Sequence, residues 1–142
     1  MPKLIFVNLP VSDLPRAKAF YEAIGAKNNP QFTDDTAACM VFSDTIHVML
    51  LTHDKYRQFT SKQIADTQKT SAVLLAVSED SREAVDATLG KALKAGAKEP
   101  REKNDYGWMY QRTFDDLDGH TWEITWMDLE AATKAMNKEQ AA

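Results

Sequence analysis

One cysteine in 142 residues, Cys39, is too few for an internal disulfide, and it has no CxxC companion. The fold must therefore rest on its apolar core. Glycine and proline number five each, which excludes a collagen-like or low-complexity chain. No apolar run approaches the roughly 20 residues that a membrane helix needs. The segment Met1 to Val11 carries a single lysine and reaches Asn8 and Pro10 too soon for a secretory leader. A cytoplasmic protein without a membrane partner is expected. Basic charge is also short. Seventeen Lys and Arg against 21 Asp and Glu leave a net charge of -4 with no basic stripe, which argues against nucleic acid and anionic membranes as partners.

What is present is a globular balance of 44% hydrophobic and 27% charged residues, suited to one domain over 1–142. Such a chain can bury about 70% of its unfolded surface without a metal or disulfide. Leu4–Val11 is apolar and rich in strand formers. Ser12 or Asp13 can cap a following helix, with Pro15 in its first turn and Leu14, Ala17, Phe20, Tyr21 and Ile24 at helical spacing. Gly25 is placed to end it. Strands are expected around Phe32, at Ala37–Phe42 and at Ile46–Thr52, the last two joined by a turn at Ser43 and Asp44.

After a polar linker the pattern restarts. Ser71–Val77 reads as a strand. Ser81–Ala95 reads as a helix with Val85, Leu89, Ala92 and Leu93 on one stripe, stopped by Gly96. Trp108–Phe114 and Thr121–Met127 read as strands about the turn Asp116-Leu117-Asp118-Gly119. The order strand–helix–strand–strand–strand thus occurs twice. Val7 lies over Val73, an offset of 66 residues, and Asp44 over Asp118, an offset of 74. The fold class is α+β, with two βαβββ modules at about 1–53 and 70–128, a linker at 54–69 and a terminal helix over 128–140.

The stretch NLPVSDLPRAKAFYEAIGA, followed in the second half by FDDLDGHTWEITWMD, resembles the vicinal-oxygen-chelate superfamily of glyoxalases, bleomycin-resistance proteins and extradiol dioxygenases. The similarity runs from about Lys3 to Asp128, and its branch resembles the lactoylglutathione-lyase-like proteins. The resemblance implies two curved mixed sheets forming a cup that holds any working site, and a homodimer in which modules pair within or between chains. It also implies metal-ligand positions at Phe6, Met49, Ala72 and Glu123. Only Glu123 can bind a hard or borderline cation, whereas a catalytic zinc ion keeps three protein ligands. His47 shares a face with Met49 but lies roughly 7 Å along the strand from it. His120 falls on the face opposite Glu123. No chelated metal and no other cofactor is expected.

Alternation of side chains then gives the lining. Val7, Leu9 and Val11, like Val73, Leu75 and Val77, should pack under the helices, as should Trp122, Ile124 and Trp126. The cup would take Phe6, Asn8, His47, Met49, Thr121, Glu123 and Thr125, an apolar surface with a few polar points, as small-molecule pockets have. Glu123 is the candidate catalytic group, a general acid or base or a counter-charge if burial raises its pKa. It reads equally well as a structural residue bonded to a Tyr, a Thr or Arg112. Tyr106, Trp108, Tyr110 and Arg112 complete the candidate ligand contacts, with the three aromatics read either as a stacking wall or as packing. Cys39 reads as packing and His53 as solvated surface. Three functions compete: a metal-free protein binding a small organic ligand, a divalent-metal lyase of the glyoxalase class, and a non-catalytic interaction module.

Overall fold

A computed structural model describes residues 2–141. Met1 and Ala142, the ends of the span read as one domain, lie outside it. The elements run β1 (Ile5–Val11), α1 (Leu14–Ala23), β2 (Lys27–Asn29), β3 (Ala37–Val41), β4 (Ile46–Thr52) and a single turn α2 (His53–Tyr56). They continue with β5 (Leu75–Ser78), α3 (Arg82–Lys94), β6 (Asn104–Asp105), β7 (Met109–Asp115), β8 (Thr121–Met127) and α4 (Leu129–Ala141). The class is α+β, and βαβββ occurs twice. Each copy forms a four-stranded mixed sheet, ordered β1-β4-β3-β2 and β5-β8-β7-β6. In each, the first strand pairs parallel with the last and the other pairs are antiparallel. Parallel neighbours need a crossover, and the helix with the two intervening strands supplies it.

The chain divides into two compact units. One runs to Ser71 and takes in the turn Leu117–His120; the other holds Ala72–Asp116 and the chain from Thr121 onward. In the first unit Asp13 caps α1, its carboxylate accepting from the Arg16 N–H at 3.2 Å, and Pro15 sits in the first turn. Gly25 ends the helix at φ +111°, a conformation that glycine adopts without strain. Leu14, Ala17, Phe20 and Tyr21 of α1 bury against β3 and β4, where Ala38, Met40, Val48 and Leu50 are sealed. Each large side chain so buried stabilises the unit by about 1.5–3 kcal/mol before ordering costs. In the second unit Ser81 caps α3 through the Ala84 N–H at 3.0 Å. Val85, Leu89 and Ala92 bury against β7 and β8, meeting Phe114, Trp122 and Ile124. Leu93, expected on that stripe, is 38% exposed.

The turn 117–120 is tied into the first unit. Asp118 Oδ1 accepts from the Ser12 N–H at 2.9 Å, and His120 Nε2 donates to the Pro10 carbonyl at 2.8 Å. Thr67 Oγ1 donates to the Asp118 carbonyl at 2.6 Å and Gln68 Nε2 to the Leu117 carbonyl at 3.0 Å. Gly119, at φ +88°, lies so close that a Cβ there would strike the Thr67 carbonyl.

Three expectations need correction. Phe32 belongs to a 3-10 turn, Pro30–Phe32, because Pro30 fixes φ and the Asn29 side chain accepts from the Gln31 N–H. The strand falls just before it, at β2. The strand expected from Ser71 begins only at Leu75, leaving Val73 61% exposed rather than packed under a helix. Its partner β8 starts at Thr121, and Leu75 already pairs with Trp122, so almost no partner strand remains upstream. Finally, the helix caps Asp13 and Ser81 are 68 positions apart, and the registers Val7–Val48 and Leu75–Trp122 agree. The counterpart of Val7 is therefore Leu75, and that of Phe6 is Leu74 rather than Ala72. The offset of 74 for the hairpins stands, with Cys39–Met49 matching Thr113–Glu123.

Candidate functional site

In each unit one sheet face is covered by the long helix, and the other carries most of the candidate residues. Phe6 and His47 are direct partners across β1 and β4, and their rings stack at 4.7 Å with 16° between planes. The Phe6 ring is 51% exposed. Both imidazole nitrogens of His47 are buried and have no hydrogen-bond partner among the described residues. Leaving a buried polar group unpaired costs about 1–3 kcal/mol. Asn8 and Met49 form the next rung, and Met49 also faces Cys39 across β3. Burial pushes the Cys39 thiol up, which disfavours the nucleophilic thiolate.

The second unit presents hydroxyls and amides in the equivalent places. Thr121, Glu123 and Thr125 share the face opposite Trp122 and Ile124, as alternation required. Across β7 they meet Asp115, Thr113 and Gln111. Thr121 Oγ1 donates to Asp115 Oδ1 at 2.6 Å, and Gln111 Nε2 donates to Thr125 Oγ1 at 3.1 Å. Glu123 sits half-buried between these two engaged threonines, and no hydrogen bond or ion pair reaches its carboxylate among the described residues. Sequence reasoning omitted Gln111, Thr113 and Asp115. Pairing the two strands about the 116–119 turn would have found them, since that register puts Thr113 beside Glu123.

Tyr110 and Arg112 lie on the other side of the same sheet. They pair with Trp126 and Ile124 and face α3. The Tyr110 hydroxyl donates to Asp86 Oδ1 at 2.6 Å. Arg112 grips Glu99 with two bonds of 2.9 and 2.8 Å and reaches Asp86 at 3.0 Å. Hydrogen bonding holds both acids below the usual carboxylate range, Asp86 chiefly through Tyr110 and Glu99 chiefly through Arg112. Burial, then the bond to Asp86, raises the Tyr110 phenol. Arg112 is thus engaged away from Glu123.

Tyr106 and Trp108 flank Gly107 on the arch between β6 and β7. Gly107 has φ +80°, and the two rings stack at 5.8 Å. Arg82 of α3 holds the arch. It binds both oxygens of Asp105, at 2.8 and 3.0 Å, and donates to the Gly107 carbonyl at 2.9 Å. Its guanidinium also lies 5.1 Å from the ring centroids of both Tyr110 and Trp126. The Arg82 bonds are the main reason that the Asp105 pKa falls from 3.8 to about 2. Tyr106 itself is 60% exposed, an aromatic platform on a pinned support.

The positions that the family resemblance assigns to metal ligands hold Phe6, Met49, Leu74 (by register) and Glu123. A phenyl and an isobutyl group have no donor atom, and a thioether is a soft ligand. Among the described residues no group of three or more His, Cys, Asp or Glu is gathered to hold an ion. These residues do not fit a chelated divalent metal. No helix among the described residues is long and apolar enough to cross a membrane.

A family model described as Glyoxalase/Bleomycin resistance protein/Dioxygenase superfamily matches residues 3–124. Among solved structures, hypothetical protein SA1046 from S. aureus is 25% identical, with a TM-score of 0.74 over 89% of this chain and 95% of that one. A glyoxalase/bleomycin resistance protein/dioxygenase family enzyme from Burkholderia phytofirmans PsJN is 21% identical, with a TM-score of 0.73 over 89% of this chain and 100% of that one. Fosfomycin resistance protein FosX from Mesorhizobium loti is 18% identical, with a TM-score of 0.68 over 94% and 98% of the two chains. No curated protein sequence matches.

Proposed function

As the chain belongs to the glyoxalase/bleomycin resistance protein/dioxygenase superfamily, we propose that it captures a small organic molecule on the sheet faces turned away from its helices, without a chelated metal. The observation that carries this reading is the His47 imidazole, whose buried nitrogens have no partner among the described residues, stacked on the exposed Phe6. An unsatisfied polar group is retained at a cost to stability where something else completes it. A planar ligand that displaces or slides over the Phe6 ring would offer His47 a hydrogen bond and Phe6 a stacking partner. Glu123 supplies a second polar point, a carboxylate between two engaged threonines with no partner among the described residues. It serves as counter-charge to a cationic ligand group or as a base for proton transfer. The protein works in the cytoplasm as a homodimer in this reading.

The metal-dependent lyase alternative gains no support from the residues at the ligand positions. The interaction-module alternative does not explain why the His47 imidazole and the Glu123 carboxylate have no partner among the described residues.

A thermal-shift screen of planar organic compounds against chelator-treated protein tests the proposal. At least one compound should raise Tm. Phe6→Ala and His47→Ala should each weaken its binding about tenfold, equivalent to about 1.4 kcal/mol. A broad screen with no shift, or ligands whose affinity ignores both substitutions, overturns the reading.

A further inference from the structure

The linker borders an open cleft that the reading above does not use. It measures about 740 Å³ and lies wholly within the first unit, between the end of β1, α2 and the loop 60–68. That is the size of a small-molecule site. Long loops without secondary structure in a compact protein are usually either disordered or functional. This one is ordered by side-chain bonds: Thr67 and Gln68 fasten it to the 117–120 turn, and that turn is fastened to Ser12 and Pro10. The 67–68 end of the loop is therefore fixed by hydrogen bonds.

The lining chemistry is unlike that of the Phe6 face. It carries two cations, Arg57 and Lys62, and two carboxylates, Asp66 and Asp118, among hydroxyl and amide side chains, with His53 and Ile64 also on its wall. The only bond of the Arg57 guanidinium among the described residues is to Asp54, whose side chain is 97% exposed, and an ion pair so solvated is held weakly. No side-chain partner engages the Lys62 ammonium among the described residues. Among the described residues Asp66 Oδ1 accepts only the Gln68 N–H, leaving acceptor capacity on that carboxylate. A lining with both signs and no net charge complements a ligand that also carries both. An apolar molecule would strip water from four charged groups, and a simple anion would meet two carboxylates.

We propose that this cleft is a second binding site, for a small zwitterion of the α-amino acid class. Arg57 and Lys62 take its carboxylate, Asp66 takes its ammonium group, and the hydroxyl and amide side chains receive a polar side chain.

Calorimetric titration of the full-length protein with the common free α-amino acids tests this. At least one should bind with Kd below about 1 mM. Its N-acetyl and its carboxamide derivatives should each bind at least about tenfold more weakly, as should the free acid with Lys62→Met or Asp66→Asn protein. Both substitutions are on exposed side chains, and an unchanged Tm would show that they leave the fold intact. Absence of binding by every amino acid overturns the proposal, and so does equal binding of the neutralised derivatives. Binding of inorganic phosphate that competes with the amino acid and survives Asp66→Asn would instead make this an anion site and overturn it too.

Discussion

Met49 and Glu123 occupy the same place in two copies of one frame, each on the last strand of a βαβββ unit and each opposite the middle of a hairpin partner. Their surroundings differ completely. Met49 is flanked by Phe6, Asn8, His47 and Cys39, a soft apolar surface with one unsatisfied ring. Glu123 is flanked by Thr113, Thr121, Thr125 and Gln111, with Ala76 on its other side, a largely hydroxyl and amide surface whose carboxylate has no partner among the described residues. The helix-covered sides differ too: Val48 stands where Trp122 stands, and both are almost fully buried. Strand registers and helix caps set the frame, and the two faces turned away from the helices differ in chemistry.

The largest expected effect concerns the covered sides. Trp122→Ala should cost about 3–5 kcal/mol and Val48→Ala only about 2 kcal/mol, because cavity cost follows the volume removed. Denaturant unfolding monitored by circular dichroism would show the asymmetry; equal losses would mean that the two cores are not built alike. A smaller effect of opposite sign is expected on the open side. His47→Leu should stabilise the protein by about 1 kcal/mol, since it removes an unsatisfied buried group of similar size. Any clear destabilisation would show that His47 has a partner in solution.

The smallest effect is local to the second unit. Asp105 is held at about 2 in the folded protein against 3.8 for the free side chain. A carboxylate depressed in this way supports the fold above its unfolded pKa and loses that support as pH falls from about 4 toward 2. Arg82→Gln should therefore raise the Asp105 pKa toward 3.8 and loosen the arch around Gly107. Carboxyl chemical shifts through an acid titration report it, and an unchanged Asp105 would remove Arg82 as the cause.

The sequence announced the frame because its signals are local. Ser12 or Asp13 before the first apolar periodicity, and Gly25 and Gly96 after the two periodic stretches, mark both helices without knowledge of the rest. Period-two alternation likewise sorted Phe6, Asn8, His47 and Met49 onto one face, and Thr121, Glu123 and Thr125 onto another. The failures arose where a residue depends on a distant partner. Val73 has strand character but no strand beside it. Tyr110 and Arg112 stand among the candidate ligand contacts in the sequence, and only the register places them on the α3 side with Asp86 and Glu99, away from Glu123. The unpaired state of His47 has no sequence signature at all, because it depends on what the surrounding chain withholds.

Surface linkers ordinarily absorb insertions and deletions with little penalty. The one in this protein is measured against a fixed mark, since Thr67 and Gln68 must arrive at the 117–120 turn while Gly119 keeps the gap open for them. A chain one or two residues shorter or longer before Thr67 would bring the wrong side chains to that turn. The connecting segment therefore behaves as a spacer of set length, with its gauge encoded far downstream of the part it measures.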